Sequence, residues 1–277
     1  MTYLPQTNEP GCSAGFAHGL VTGVAPQVDL RRPRAAASVC DKTETRYQRY
    51  SCVHGFGHAF MRLVREELTE GLRLCTALGA DVAPDCAQGG YQVCRFAGSG
   101  ADDTERPATV LDDPRELCAG QPERFVRPCW YRAYVDDRPE QPVDDAADIE
   151  ALCAGLAGLQ REACVTAAAV VGPPDPRGQL GICTALRGAD AVACIRGTKV
   201  QNLLAAPPED LVALVRLCDG FPDETRLACY RWLAKVLAVR TDGRFERFGC
   251  PAAPDAASRR ACRAGVRASE GPLETFS

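Results

Sequence analysis

The sequence predicts an all-α protein: a right-handed solenoid of αα-hairpins, with about seven disulfide-stapled repeats after an N-terminal half repeat. Three observations predict it. Fourteen of the 16 cysteines fall into seven pairs separated by 11 or 12 positions. The second members of those pairs recur after 34, 43, 35, 30, 35 and 33 positions, and such a period built from short helical segments marks a helical-hairpin array. The alternation of apolar and polar residues that strands require is absent. Residues 1–277 then form one repeat domain, with 11–38 as half repeat and linker, 39–262 as seven repeats and 263–277 as a fraying tail.

The elements follow in chain order. The half repeat carries Cys12-Ser13-Ala14-Gly15-Phe16-Ala17-His18, and residues 20–38 link it to the first full hairpin, Cys40/Cys52. The second helix of that hairpin opens with Cys52-Val53-His54-Gly55-Phe56-Gly57-His58, a second copy of the Cys-x-x-Gly-Phe-x-His pattern. Cys75/Cys86 mark the second repeat. An insertion over 95–113 lengthens the step to the third, Cys118/Cys129, which turns at Gly120-Gln121-Pro122. An acidic, Pro-containing insertion over 136–148 precedes Cys153/Cys164, whose first helix ends at Glu150-Ala151-Leu152-Cys153. Cys183/Cys194 come next. In the sixth repeat, Cys218/Cys229, the turn Gly220-Phe221-Pro222-Asp223 leads into a helix over 225–236, and Cys250/Cys262 close the array. Insertions in such arrays become loops on one face.

Each pair is expected to join the two helices of its own hairpin. Bridged Cα atoms approach to about 5.5 Å, which packed antiparallel helices permit near their connection. A disulfide closing so short a loop stabilises by roughly 2–3 kcal/mol. A lone hairpin of ~30 residues buries too little apolar surface to fold without such a staple. Cys12 and Cys94 are left over and are expected to form an eighth bridge, Cys12–Cys94.

The formal charge of −4 and the lack of a dense basic run exclude a nucleic-acid binder. No apolar run approaches the roughly 20 residues of a membrane span. Cys-x-x-Cys never occurs, so widely spaced disulfides are favoured over thiolate metal clusters. That places the chain in an oxidising, secreted or extracytoplasmic setting. No leader is visible at Met1-Thr2-Tyr3-Leu4-Pro5, so export is expected to depend on a segment outside this sequence. The rival is a cytoplasmic protein with reduced cysteines.

Over residues 40–262 the chain resembles the secreted, cysteine-rich members of the Sel1-like αα-repeat proteins, in architecture only. Its cysteines are more widely spaced and the glycine/alanine pattern of Sel1 repeats is not clear. The Cys-x-His-Gly-x-Gly-His segment at 52–58 also resembles one found in uncharacterised bacterial cysteine-rich proteins. Neither resemblance carries a catalytic residue across.

Helical phase says which way the histidines face. With each second-helix cysteine as position zero and about 100° per residue, positions 0, +1, +4, +7 and +8 form one stripe. In the first copies it holds Phe16, Leu20, Val53, Phe56, Ala59 and Phe60, the apolar face toward the partner helix. Positions +2 and +6 lie opposite. His54 is +2; His58 and His18 are +6. Position +3 is Gly15, Gly55, Gly89, Gly197 and Gly265, a small residue that lets neighbouring helices approach. Position +2 continues as Gln88, Tyr131, Thr166, Arg196 and Arg231, a polar stripe.

All three histidines of the chain therefore occupy two copies of one motif on one face. Three imidazoles suit a transition metal, and three protein donors with an open position form the catalytic zinc pattern. Copper is favoured, zinc next. On this reading His18, His54 and His58 hold the metal. Gln88, Tyr91, Gln92, Tyr131, Arg196 and Arg231 line the path of a peptide or small anionic substrate, as in a metal-dependent oxidoreductase. The competing reading makes the histidines packing residues of a non-catalytic, extracytoplasmic binding solenoid for a peptide or protein partner. No phosphate loop and no Gly-x-Ser-x-Gly elbow is present.

Overall fold

The computed structural model describes residues 31–43, 45–65, 67–96, 118–136, 143–170, 172–173, 175–198 and 210–270, with the single positions Gly23, Asp29 and Leu203. Within them the protein is all-α, with thirteen α-helices, three 3-10 segments and no strand. None of the described helices is long and apolar enough to cross a membrane.

The cysteine pairs dictate the arrangement. Seven disulfides join Cys40–Cys52, Cys75–Cys86, Cys118–Cys129, Cys153–Cys164, Cys183–Cys194, Cys218–Cys229 and Cys250–Cys262, with Cα separations of 5.4–5.8 Å. Each pairs the end of one helical segment with the following helix, as the spacing predicts. The leftover pair, Cys12 and Cys94, and the histidine His18 lie outside the described residues, Cys94 by its side chain only.

The helices group into two compact units that divide between Asp136 and Asp137. In the first, α1 (Pro33–Ala37) runs into a 3-10 segment (Ser38–Lys42) that carries Cys40. The helix at 33–37 falls inside what the sequence suggests is a linker. Helix α2 (Arg46–Leu63) starts at a capping box: the Gln48 amide N–H donates to the Thr45 hydroxyl, and the Thr45 N–H to the Gln48 side chain. Then come α3 (Leu68–Leu78), α4 (Ala83–Phe96) and α5 (Glu123–Asp136). The apolar stripe of α2 faces inward as phased: Val53, Phe56, Ala59 and Phe60 pack with Leu74, Leu78, Val82 and all four disulfide cysteines of the first two hairpins. Each buried phenylalanine contributes about 1.5–3 kcal/mol.

The second unit holds α6 (Ala146–Leu152), α7 (Gly158–Val170), α8 (Pro176–Cys183), α9 (Gly188–Arg196) and α10 (Leu211–Arg216). A 3-10 segment (Leu217–Gly220) carries Cys218 into α11 (Asp223–Arg240). The last hairpin pairs α12 (Phe245–Phe248) and its 3-10 extension (Cys250–Ala252) with α13 (Ala256–Ala268). Aspartates open three of these helices: Asp145, Asp175 and Asp255 each accept a backbone N–H from the first turn. Helix α13 runs six residues past Cys262, where a frayed tail is expected from the sequence. Gly265 and Val266 are buried there, so packing rather than composition decides where the helix stops.

Successive second helices pack in the same way three times. At α2/α4, α7/α9 and α11/α13, the +3 glycine of the later helix lies on the +2 carbonyl of the earlier one: Gly89 on His54, Gly197 on Thr166, Gly265 on Arg231. A Cβ at any of them would collide with backbone, which explains the glycine. In the same three pairs an arginine at −3 of the earlier helix reaches an aspartate near the start of the later one. These are Arg49 to Asp81 at 3.8 Å, Arg161 to Asp190 at 2.7 Å and Arg226 to Asp255 at 3.5 Å. Where +3 is instead bulky, at Arg132 of α5 and Trp232 of α11, the side chain itself is buried.

Candidate metal centre

Helix α2 places Tyr47, Tyr50, His54 and His58 one turn apart along one side. Their ring centroids are spaced 6.2, 6.0 and 5.1 Å. That side meets α4, because Gly89 lets the two backbones approach. Gly57 does the same from the other helix: a Cβ on it would sit 2.6 Å from the Gly90 nitrogen.

The approach brings side chains of two repeats together. His58 Nε2 lies 3.2 Å from His54 Nε2, and His54 Nε2 lies 3.0 Å from Gln92 Oε1. One helical turn earlier, the Tyr50 hydroxyl donates to Gln88 Oε1 at 3.0 Å. Both cross-helix contacts link residues 38 apart. That is the 34-residue step between Cys52 and Cys86 plus four, so α2 and α4 run in the same direction and these side chains reach about one turn along the neighbouring helix. His58 is 8% exposed and His54 is half-buried.

The histidine pair is the arrangement that the phase argument predicts, on the face away from their own hairpin. The separation suits coordination. Two imidazole nitrogens bound at 2.0–2.1 Å to one tetrahedral ion stand about 3.3 Å apart. Among the described residues no third His, Cys, Asp or Glu joins them in one cluster. The expected third ligand, His18, lies outside those residues.

The other sequence candidates separate. Gln88 is 6% exposed and Tyr131 is 4% exposed, and the buried Tyr91 donates its hydroxyl to Gln121 Oε1 at 3.1 Å. Gln92 is half-buried against His54. Arg196 pairs with Glu162 of the preceding second helix. Arg231 is exposed. The +2 stripe is therefore mostly an interface between second helices, not an open groove. Trp130 and Tyr230, at +1, are buried as core residues. Tyr50 was not among the candidates. It sits at −2, and only its reach along the neighbouring helix brings it onto Gln88 at +2.

Fold and site together define a class: an all-α, disulfide-stapled protein with an imidazole pair on one helix, α2, packed against another, α4. No family model, curated protein or solved structure matches the chain.

Proposed function

We propose that this is an extracytoplasmic, transition-metal-binding protein built as a solenoid of disulfide-stapled αα-hairpins, with His54 and His58 as the core of its metal site. The observation that carries the metal is the 3.2 Å separation of two Nε2 atoms on one helix face, one residue buried and the other half-buried. Copper and zinc both take imidazole donors. His18 remains the third histidine that the repeated motif nominates. The repeated glycine-on-carbonyl packing supports the solenoid, and seven disulfides support an oxidising compartment.

A metal-dependent oxidoreductase acting on a peptide or small anionic substrate is the catalytic form of this proposal. A non-catalytic binding solenoid is the other. Burial of Gln88, Tyr91 and Tyr131 in helix contacts takes those side chains off a substrate path, and counts equally against a binding groove along the same stripe.

The test is the metal content of the full chain purified without a histidine tag and then exposed to copper or zinc. One equivalent retained by the native protein and lost in His54→Ala supports the site. Phe56→Ala is the control: it removes a 1%-exposed ring, costs about 3–5 kcal/mol of stability and leaves the imidazoles in place. No metal above trace in the native protein after exposure overturns the reading.

A further inference from the structure

We infer that Gln92 supplies the third donor of this metal site, an amide oxygen from the following repeat, so that a bound ion fastens α2 to α4. The inference rests on the histidine reading above and adds to it a ligand of a different kind.

The argument begins with directions. A neutral imidazole nitrogen has one in-plane site, holding either a proton or a lone pair. His54 Nε2 faces two neighbours with that single site: His58 Nε2 at 3.2 Å and Gln92 Oε1 at 3.0 Å. It cannot make two linear hydrogen bonds at once. Three atoms that bear lone pairs thus converge where one proton serves at most one of them well. A cation is the species that accepts from all three.

The backbone explains why the third donor comes from α4. Gly89 carries no side chain where the His54 carbonyl passes, and a Cβ there would also stand 3.3 Å from His58 Cδ2. Gln92 follows one turn of helix later, in the +6 position that His58 holds in its own repeat. With the backbones in contact at +2 of α2 and +3 of α4, the side chain at +2 meets the one at +6, which is the pairing of His54 with Gln92. Tyr50 and Gln88 repeat that side-chain pairing at 3.0 Å one turn before, holding the two helices in register beside the donors.

The experiment titrates the full native chain with Co(II), a spectroscopic stand-in for zinc, following the visible ligand-field bands and the thermal midpoint. Native protein, His54→Ala, Gln92→Ala and Gln92→Glu are compared, each also melted in chelator to confirm its fold. Loss of an outer-shell partner alone costs 10–100-fold in affinity, so Gln92→Ala is expected to bind more than about tenfold more weakly. It should also lose most of the metal-induced rise in melting temperature. Gln92→Glu, which keeps an oxygen at the same reach, is expected to bind at least as tightly as the native chain. Native affinity and an unchanged spectrum in Gln92→Ala would overturn the inference and leave the histidine site standing. Equal cobalt uptake by the native chain and His54→Ala would overturn both.

Discussion

Gly89 lies against the backbone carbonyl of His54 with no room for a Cβ between the two helices. The same contact recurs at Gly197 on Thr166 and Gly265 on Arg231, so it is a joint of the repeat and not a local accident. At the first joint alone the earlier +2 residue is a histidine. The packing that brings α2 and α4 together there also presents an imidazole to the next helix.

The first prediction follows from that joint. Gly89→Ala forces α4 away from α2, and overpacking of this kind costs about 1–3 kcal/mol. Because His54 and Gln92 face each other across the joint, the same change should weaken metal binding. Gly155→Ala is a poor comparison because Gly155 has φ +76°, whereas Gly181, inside α8 with open space around it, is a fair one. Gly181→Ala should leave the denaturation midpoint unchanged or raise it. Equal midpoints for Gly89→Ala and the native chain in chemical denaturation would refute the joint.

The second prediction concerns the staples. Mass mapping of peptides from unreduced protein should return the seven within-hairpin pairs and no bridge between neighbouring repeats. The same map decides the fate of Cys12 and Cys94. Reduction should abolish cooperative unfolding, since each staple closes a loop worth roughly 2–3 kcal/mol. A reduced chain that still melts in one sharp transition would show that the core suffices without them.

Much of this was legible in the sequence because it depends on spacing within one hairpin. An 11- or 12-residue interval between cysteines sets a turn between two helices, and helical phase then assigns Phe56 to the core and His54 to the opposite face. The glycines at +3 announced close approach. What spacing within a hairpin does not contain is the register between hairpins. Without it Gln92 and Tyr50 cannot be matched to His54 and Gln88. The arginine-to-aspartate ties were hidden for a related reason. The arginine is always at −3, but Asp81, Asp190 and Asp255 stand at different offsets from their cysteines, so no fixed motif exists. The +2 stripe read as an open path because phase distinguishes a helix's own hairpin from everything else, and cannot separate solvent from a neighbouring repeat.

The third prediction is a pH dependence. Tyr230 is fully buried in α11, and its hydroxyl donates to Asp219 Oδ1 at 2.6 Å. Burial first, then the hydrogen bond to the Asp219 carboxylate, push its pKa well above the tyrosine value near 10. The folded state therefore holds this proton more tightly than the unfolded chain. Its contribution is fully present below about pH 10, where both states are protonated. It is lost as pH rises from there through the folded pKa. Chemical denaturation between pH 8 and 11.5 should show stability falling above pH 10, with a slope about one proton shallower in Tyr230→Phe. An identical slope in both proteins would assign the loss to other groups.

The last prediction separates an ion pair that ties repeats together from one that merely decorates a helix. Arg161 of α7 reaches Asp190 at the start of α9 through two nitrogens, Nε to both carboxylate oxygens at 3.1 and 3.0 Å and a terminal nitrogen to Oδ2 at 2.7 Å. Its other terminal nitrogen donates to the Cys153 carbonyl at 2.8 Å. One guanidinium therefore joins the second helix of one repeat, the disulfide turn of its own hairpin and the first turn of the next. Both side chains are about three-quarters covered, at 28% and 25% exposure, so water screens the pair only in part. The fork geometry also leaves little side-chain entropy to lose. Glu70 and Arg73 make an equally short pair at 2.6 Å, but both belong to α3 and stand in solvent. A double-mutant cycle on Arg161→Ala and Asp190→Ala should give a coupling of about 1 kcal/mol, at the upper end for partly exposed pairs. Arg73→Ala should leave the denaturation midpoint within error. Arg161→Lys is the sharper variant, because a lysine keeps the charge and cannot bridge the carboxylate and the Cys153 carbonyl together. If Arg161→Lys is as stable as the native chain, charge alone holds α7 to α9 and the three-way tie contributes nothing.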